Sequence, residues 1–198
     1  FLLAVNAGMD VSSYEEFVSY ARERPGELNF GSAGIASSPH LGLELLRTQA
    51  DLEIEHIPFG SGREAVNAAA SGEVDVTIDA AIVIMPLVEE GTLTALMIAG
   101  DRPLAAAEGV PTNVEAGAEE ISITSWSALY APAGTPDEIV TQLNEALVTA
   151  LSDPDLISGM ESQGTLLFTG ALDEYETFAA EERERWGTIV READIRLD

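Results

Sequence analysis

Residues 31–40 read Gly-Ser-Ala-Gly-Ile-Ala-Ser-Ser-Pro-His, small and hydroxyl residues lodged between an apolar stretch and an amphipathic one. Glycine and alanine let a ligand approach the backbone closely. A helix opening after them turns unpaired N–H groups and roughly half a positive charge toward that space. Such a loop holds a carboxylate or phosphate without a cationic side chain. Ser38 is the expected N-cap and Pro39 the first helical residue, where a missing N–H costs nothing. The Ser38 side chain then takes the N–H of His40 or Leu41, which leaves Ser32, Ala36 and Ser37 to face the anion. The competing reading is a tight strand-to-helix turn with an ordinary serine cap.

Residues 58–62, Pro-Phe-Gly-Ser-Gly, make a second loop between a strand-like and a helix-like segment, so the two loops are expected side by side at one sheet edge. Asp79 ends the following strand-like segment, where a third contact falls. Its carboxylate would accept from a ligand hydroxyl or amine, or else cap a helix starting near Ile82. Asp75 and Thr77 share its strand face, Asp75 being solvated or paired with an arginine. Ser37, His40 and Asp79 also form a conceivable hydrolytic set, although no Gly-x-Ser-x-Gly elbow is present. His40 and Glu44 stand four apart with His56 on the next strand, but zinc needs three or four ligands at a recognised spacing, so no metal is expected. His56, alternating with Leu52 and Ile54, reads as a core histidine. Trp126 reads as sheet packing or as a ligand-facing wall.

The elements that must position these residues follow from periodicity and capping signals. Strands are expected over residues 1–5, 28–30, 52–57, 74–79, 93–98, 121–130 and 166–168. Helices are expected from a Ser13/Glu16 capping box to Pro25-Gly26, over 39–49, 63–72 and 82–90, from a Thr135/Glu138 capping box to about 151, from Asp153-Pro154 to Gly164, and over 172–192. Ile139, Leu143, Ala146, Leu147 and Ala150 share one helical face, and Tyr175, Phe178 and Trp186 anchor the last helix. Near-strict alternation of strand and helix predicts an α/β fold with mostly parallel sheets flanked by helices, whose ligands bind where loops leave the strand C-termini.

Composition excludes several functions. Nine basic residues against thirty-five acidic ones give a formal charge of −26 and a pI near 4.1. A polyanion meets repulsion, so nucleic acid is not a partner, and an anionic membrane surface is disfavoured in the same way. Hydrophobic residues make up 46% and charged ones 22%, enough to bury a core and leave the acidity on the surface. All nine basic residues are arginine and no cysteine is present, which removes thiolate chemistry and disulfides. A lysine-free, carboxylate-rich surface is expected of a halophilic source, because concentrated salt screens the self-repulsion. No run approaches the ~20 apolar residues of a membrane span. A chain opening on a strand at Phe1 is expected to be a piece of a longer protein.

Taken in order, the segments ARERPGELNFGS (21–32), SSPHLGLELL (37–46), HIPFGSG (56–62), SGEVDVTID (71–79), EEGTLTALMIAG (89–100), GVPTNVEAG (109–117), SWSALYAPAGTPDEIV (125–140) and LNEAL (143–147) resemble the solute receptors of tripartite tricarboxylate transporters, the Bug receptors. The resemblance runs from near Phe1 to near Trp186. It implies the two-lobed periplasmic binding protein fold of the second type, with the front of the first lobe missing. Residues 6–121 would form the second lobe, 1–5 and 122–130 the crossing strands, and 126–198 the returning part of the first lobe. It also implies a non-catalytic, monomeric, extracytoplasmic receptor, periplasmic or a cell-surface lipoprotein. That receptor takes no cofactor, and hands a di- or tricarboxylate, an acidic amino acid or an aromatic acid to membrane permease subunits. Carried over by position, Ser32, Gly34, Ser37 and His40 belong to the first ligand loop, Phe59, Gly60 and Ser61 to the second, and Asp79 to the third. Where the family usually has a basic residue after the Pro-aromatic pair, this chain has Gly60 or Ser61, so a charge-assisted contact is lost.

Overall fold

The computed structural model describes residues 1–196. Strands β1 (Leu2–Asn6), β2 (Leu28–Ser32), β3 (Ile54–Pro58), β4 (Val76–Asp79) and β5 (Leu93–Ile98) form one sheet in the order β3-β2-β4-β1-β5. β2 runs parallel to β3 and β4, whereas β1 is antiparallel to β4 and to β5. Four strands therefore point one way and β1 against them, the expected mostly parallel sheet with one reversed strand wedged in its middle. Leu2 of β1 lies opposite Asp79 and Ile98, so β1 starts at the edge where the other four end.

Helices α1 (Tyr14–Arg22), α2 (Ser38–Gln49), α3 (Gly62–Ser71) and α4 (Ala81–Glu89) cover the sheet; α5 (Asp137–Leu151), α6 (Pro154–Glu161) and α7 (Leu172–Glu192) follow the long loop after β5. Burial on both faces explains why β1 is apolar throughout. Leu3 and Val5 join Phe17, Phe30, Leu43, Leu46 and Ile78 in one core, while Leu2 and Ala4 join Val66, Ile84 and Ile98 in another. Each such side chain contributes about 1.5–3 kcal/mol by leaving water. Gly42 lets α2 sit close on the sheet, because a Cβ there would collide with Ile123 and approach Ile78 Cδ1 to 2.9 Å. Trp186 and Ile189 of α7 pack on the first core, and the Arg185 guanidinium donates to the Ser122 carbonyl.

Several local expectations are corrected. Residues 121–130 form no strand: Ile123 N–H reaches Ala99 O at 2.8 Å, but among the described residues no strand lies beside the rest, and an extended segment needs a partner to become a ladder. Residues 166–168 are likewise irregular. α5 starts without a side-chain cap, since the Thr135 hydroxyl turns back to Pro132 O at 2.8 Å. Ser13 does cap α1, yet Glu16 bonds Ser12 in place of closing the box on Ser13. The Ser38 cap shifts by one residue: Ser37 is the N-cap and Ser38 opens α2. The apolar face of α5 stays uncovered, with Leu143 57% exposed; Leu129, Tyr130, Leu143, Leu147 and Leu172 line a shallow groove there. Trp126 packs edge-to-face on Tyr175 and Phe178 of α7, not on a sheet.

Candidate functional site

Because β2, β3 and β4 run parallel, the connections from them into α2, α3 and α4 leave the same sheet edge, and each is short. Three helix N-termini thus face one open surface. Ser37 caps α2 by accepting from His40 N at 3.4 Å, and Ser61 caps α3 by accepting from Glu64 N at 3.3 Å. α4 has no side-chain cap, and Asp79 Oδ1 accepts from Ala80 N at 2.7 Å just before it. The N–H groups of Ile35 and Ser38, Gly62 and Arg63, and Ala81 and Ile82 bond no protein acceptor among the described residues. Those amides and the aligned peptide dipoles make this edge attractive to a carboxylate on a chain that is otherwise strongly anionic.

The structure brings the sequence-derived residues to this edge, with a redistribution of roles. Ser32 is fully buried; its hydroxyl lies 2.6 Å from His56 Nε2 and 3.1 Å from the donating Gly34 N. Ala36 N–H, expected to face the anion, donates to His40 Nδ1 at 3.0 Å, and the Ser37 hydroxyl donates to Gly34 O at 2.7 Å. In this loop the N–H groups without a protein acceptor among the described residues are those of Ile35 and Ser38. Gly34 and Ala36 adopt φ of 110° and 61°, the tight turn that exposes these amides. In the second loop Phe59 N–H donates to Ser32 O at 2.9 Å, stitching the loops together, while Gly60 N–H is held by Glu64 at 3.0 Å. Asp79 Oδ2 lies against Gly62 at the start of α3. Burial pushes the Asp79 carboxyl above the usual carboxylate range, opposed by the Ala80 N–H, then by the ammonium at Phe1 and the charge of Arg63.

Two residues were missed by sequence reasoning. His56 stacks on His40, the ring centroids 4.0 Å apart and the planes 9° from parallel, so it belongs to the floor of the first loop. Its pKa is pushed down to about 4, mainly by burial, then by His40 and Arg47. Alternation with Leu52 and Ile54 correctly placed it on an inward face; its ring partner came from another element. Arg63, two residues beyond Ser61, brings a guanidinium to the same helix start, close enough for its charge to act on Asp79. Its position after Ser61-Gly62 was the available signal.

Ser37, His40 and Asp79 do not assemble for hydrolysis. The Ser37 hydroxyl points to Gly34 O, the His40 ring meets Ala36 N–H and Glu44, and Asp79 binds Ala80. Ser32 and His56 are close, but a fully buried serine offers no access to a substrate. His40 and His56 meet as a ring stack, with Glu44 3.7 Å from His40 Nε2 and paired with Arg47 at 2.6 Å; parallel rings do not converge lone pairs on one cation. A depression of about 410 Å3 beside α3 carries Glu64 and Glu73 on its wall, the wrong charge for an anion.

A sheet with one reversed strand and an open edge ringed by helix N-termini defines the class: the periplasmic binding proteins. Solved structures of that class superpose closely. The chain matches R. palustris Rpa4515, solved with adipate, at 31% identity and a TM-score of 0.84, covering 98% of this chain and 65% of that one. It matches MatC of Rhodopseudomonas palustris, solved with bound malate, at 29% identity and a TM-score of 0.78, covering 96% and 65%. The model of the tripartite tricarboxylate transporter family receptors matches residues 1–195, and the chain belongs to that family. A UPF0065 protein from the tcbD-tcbE intergenic region of Pseudomonas sp. strain P51 is 31% identical over 193 residues, 96% of this chain and 57% of the relative. The chain spans about 60% of the length of the curated relatives it matches.

Proposed function

We propose that the chain is the larger part of an extracytoplasmic receptor that captures a small organic carboxylate and presents it to the permease subunits of a tripartite tricarboxylate transporter. The observation that carries this reading is the convergence of three helix N-termini with free amides at one sheet edge. Family membership and two similar structures named with adipate and with malate support a carboxylate over a phosphate. The ligand carboxylate sits on the amides of Ile35 and Ser38 and of Gly62 and Arg63, with Ser37, Phe59 and Ser61 around it. Arg63 supplies the cation lacking at Gly60 and Ser61. Ser32, Gly34, Ala36 and His40 hold the first loop from behind, and Gly60 shapes the second. Asp79 receives a hydroxyl or ammonium on the ligand.

Residues 6–121 are the second ligand-binding lobe, 1–5 and 122–130 the crossings, and 126–198, of which 197 and 198 lie outside the described residues, a part of the first lobe. The exposed apolar face of α5 supports this division, since the portion of the longer relatives that this chain does not match would cover it. The receptor works as a monomer outside the cytoplasm, in brine, and holds its ligand between the lobes.

A thermal-shift screen in molar KCl against succinate, adipate, malate, citrate, glutamate, aspartate, benzoate and phosphate tests the reading. It is run on this chain and on a form extended to the relatives' length. A ligand at 100 times its Kd raises stability by about 2.7 kcal/mol. A shift confined to one carboxylate class is expected. No shift in either form, or a shift with phosphate alone, would overturn it.

A further inference from the structure

The hydrogen bonds around the histidine stack specify its protonation. Ala36 N–H donates to His40 Nδ1 at 3.0 Å, so that nitrogen carries the lone pair and the proton sits on Nε2, which faces Glu44 Oε1 at 3.7 Å. The Ser32 proton has two acceptors in reach, His56 Nε2 at 2.6 Å and Gly34 O at 3.2 Å. Gly34 O already accepts from the Ser37 hydroxyl at 2.7 Å and from Ser37 N at 3.3 Å, so we assign the Ser32 proton to the nearer acceptor, His56 Nε2. Each ring therefore offers a lone pair to the first loop. One of those two fixed points is Ala36 itself, at φ 61°, a region that residues with a Cβ seldom enter without being held there.

We propose that His56 is a positioning residue for the anion loop: with both imidazoles neutral, the stack holds Ser32, Gly34 and Ala36 in the binding conformation, and a proton on either ring releases it. The proposal rests on the carboxylate-binding reading of that loop. A proton on His40 Nδ1 would face the Ala36 N–H donor to donor. A proton on His56 Nε2 would do the same to Ser32, and two cationic rings 4.0 Å apart would repel each other. On α2, Glu44 favours a charged His40, but it is paired with Arg47 at 2.6 Å, and the Arg47 charge opposes protonation of both rings. From β2 the stack meets the uncharged Ser32, and the uncharged Phe30 lies opposite His56 in the ladder. Burial keeps both rings below the ordinary histidine range, so the release lies on the acid side of it.

Malate and adipate titrations from pH 7.5 to 4.5 in molar KCl, on the wild type, His56→Ala and His56→Gln, test this together with Ala36 amide exchange in the ligand-free chain. His56→Ala is expected to weaken diacid binding about tenfold at pH 7.5 and to speed Ala36 exchange. Glutamine offers Ser32 an oxygen and does not titrate. His56→Gln should hold affinity within about threefold and fall less steeply toward pH 4.5 than the wild type. The diacid's own titration is common to all three proteins. Wild-type affinity and Ala36 exchange in His56→Ala, or a wild-type pH profile in His56→Gln, would overturn the proposal. If the wild type binds neither diacid at pH 7.5, those two diacids are not its ligands, the receptor reading is left to the wider carboxylate screen, and the Ala36 exchange and its pH dependence alone decide the role of His56.

Discussion

The Asp79 carboxylate lies against the backbone of Gly62, so close that a Cβ at Gly62 would run into Oδ2. This contact ties the end of β4 to the first turn of α3 and brings the loop after β4 onto the loop after β3. It is also why a glycine follows the Ser61 cap: the position has little room for any side chain.

Gly62→Ala should therefore turn the Asp79 side chain away while leaving the backbone in place. The displaced group is the end of a side chain, so stability should fall by about 1 kcal/mol, the low end of overpacking costs, while carboxylate affinity changes more. Urea unfolding and malate titration on the same sample check this. A stability loss of several kcal/mol would mean that the helix start itself is forced apart.

Asp79→Asn follows from the raised pKa of that carboxyl. A folded-state pKa above the unfolded one means that stability is fully present below the unfolded value and is lost as pH rises through the folded value. Removing the charge should make the variant more stable than the wild type at pH 7, with the two converging near pH 3. Binding of a simple diacid should tighten and binding of an acidic amino acid should weaken. Urea midpoints across pH and paired titrations with malate and aspartate read both effects.

The cap position gives a clean pair of substitutions. Ser37→Ala removes the acceptor of His40 N–H and should cost about 1 kcal/mol, whereas Ser38→Ala should be near neutral. For a chain of this size that is a drop of about 2–4 °C in Tm for Ser37→Ala only. Equal effects at the two serines would contradict the cap assignment.

Both histidines lie below their ordinary pKa, His56 at about 4. A depressed folded-state pKa gives stability that is present above the unfolded value of 6.5 and lost progressively as pH falls through the folded one. Between pH 6.5 and 4 the wild type should lose more stability than His56→Gln, as urea midpoints at half-unit steps would show. Parallel curves would mean that His56 titrates freely.

Charge predicts a salt dependence opposite to that of a basic anion receptor. At a net charge of −26 the protein repels its own ligand, and raising KCl toward 1 M shortens the screening length to about 3 Å. Affinity for malate and the Tm should both rise with KCl. Calorimetric titration at low and molar KCl checks the first and a thermal melt the second; affinity that is equal or weaker in high salt would count against adaptation to brine.

The amino-acid sequence alone determined what is local. Strand-helix alternation, the helix starts at Ser13 and at Asp153-Pro154, and the family's ordered segments were all readable, because a cap or an amphipathic stripe is decided within about four residues. The three short connections from β2, β3 and β4 into α2, α3 and α4 were readable for the same reason, as breaks between a strand pattern and a helix pattern. Tertiary structure decided the rest. The reversal of β1 depends on partners about seventy and ninety positions away, Ile78 and Met97 opposite Leu3. Residues 121–130, apolar enough for a strand, are none without a neighbour to complete the ladder. Ser37 caps in place of Ser38 because the φ of 61° at Ala36 aims the chain so that the preceding serine meets His40 N–H, a one-residue choice between identical side chains. The stack of His40 on His56 exists because α2 packs across β2 and β3, and no spacing along the chain encodes it. Backbone hydrogen bonds and caps answer to near neighbours in sequence, whereas which face meets which is a matter of packing in three dimensions.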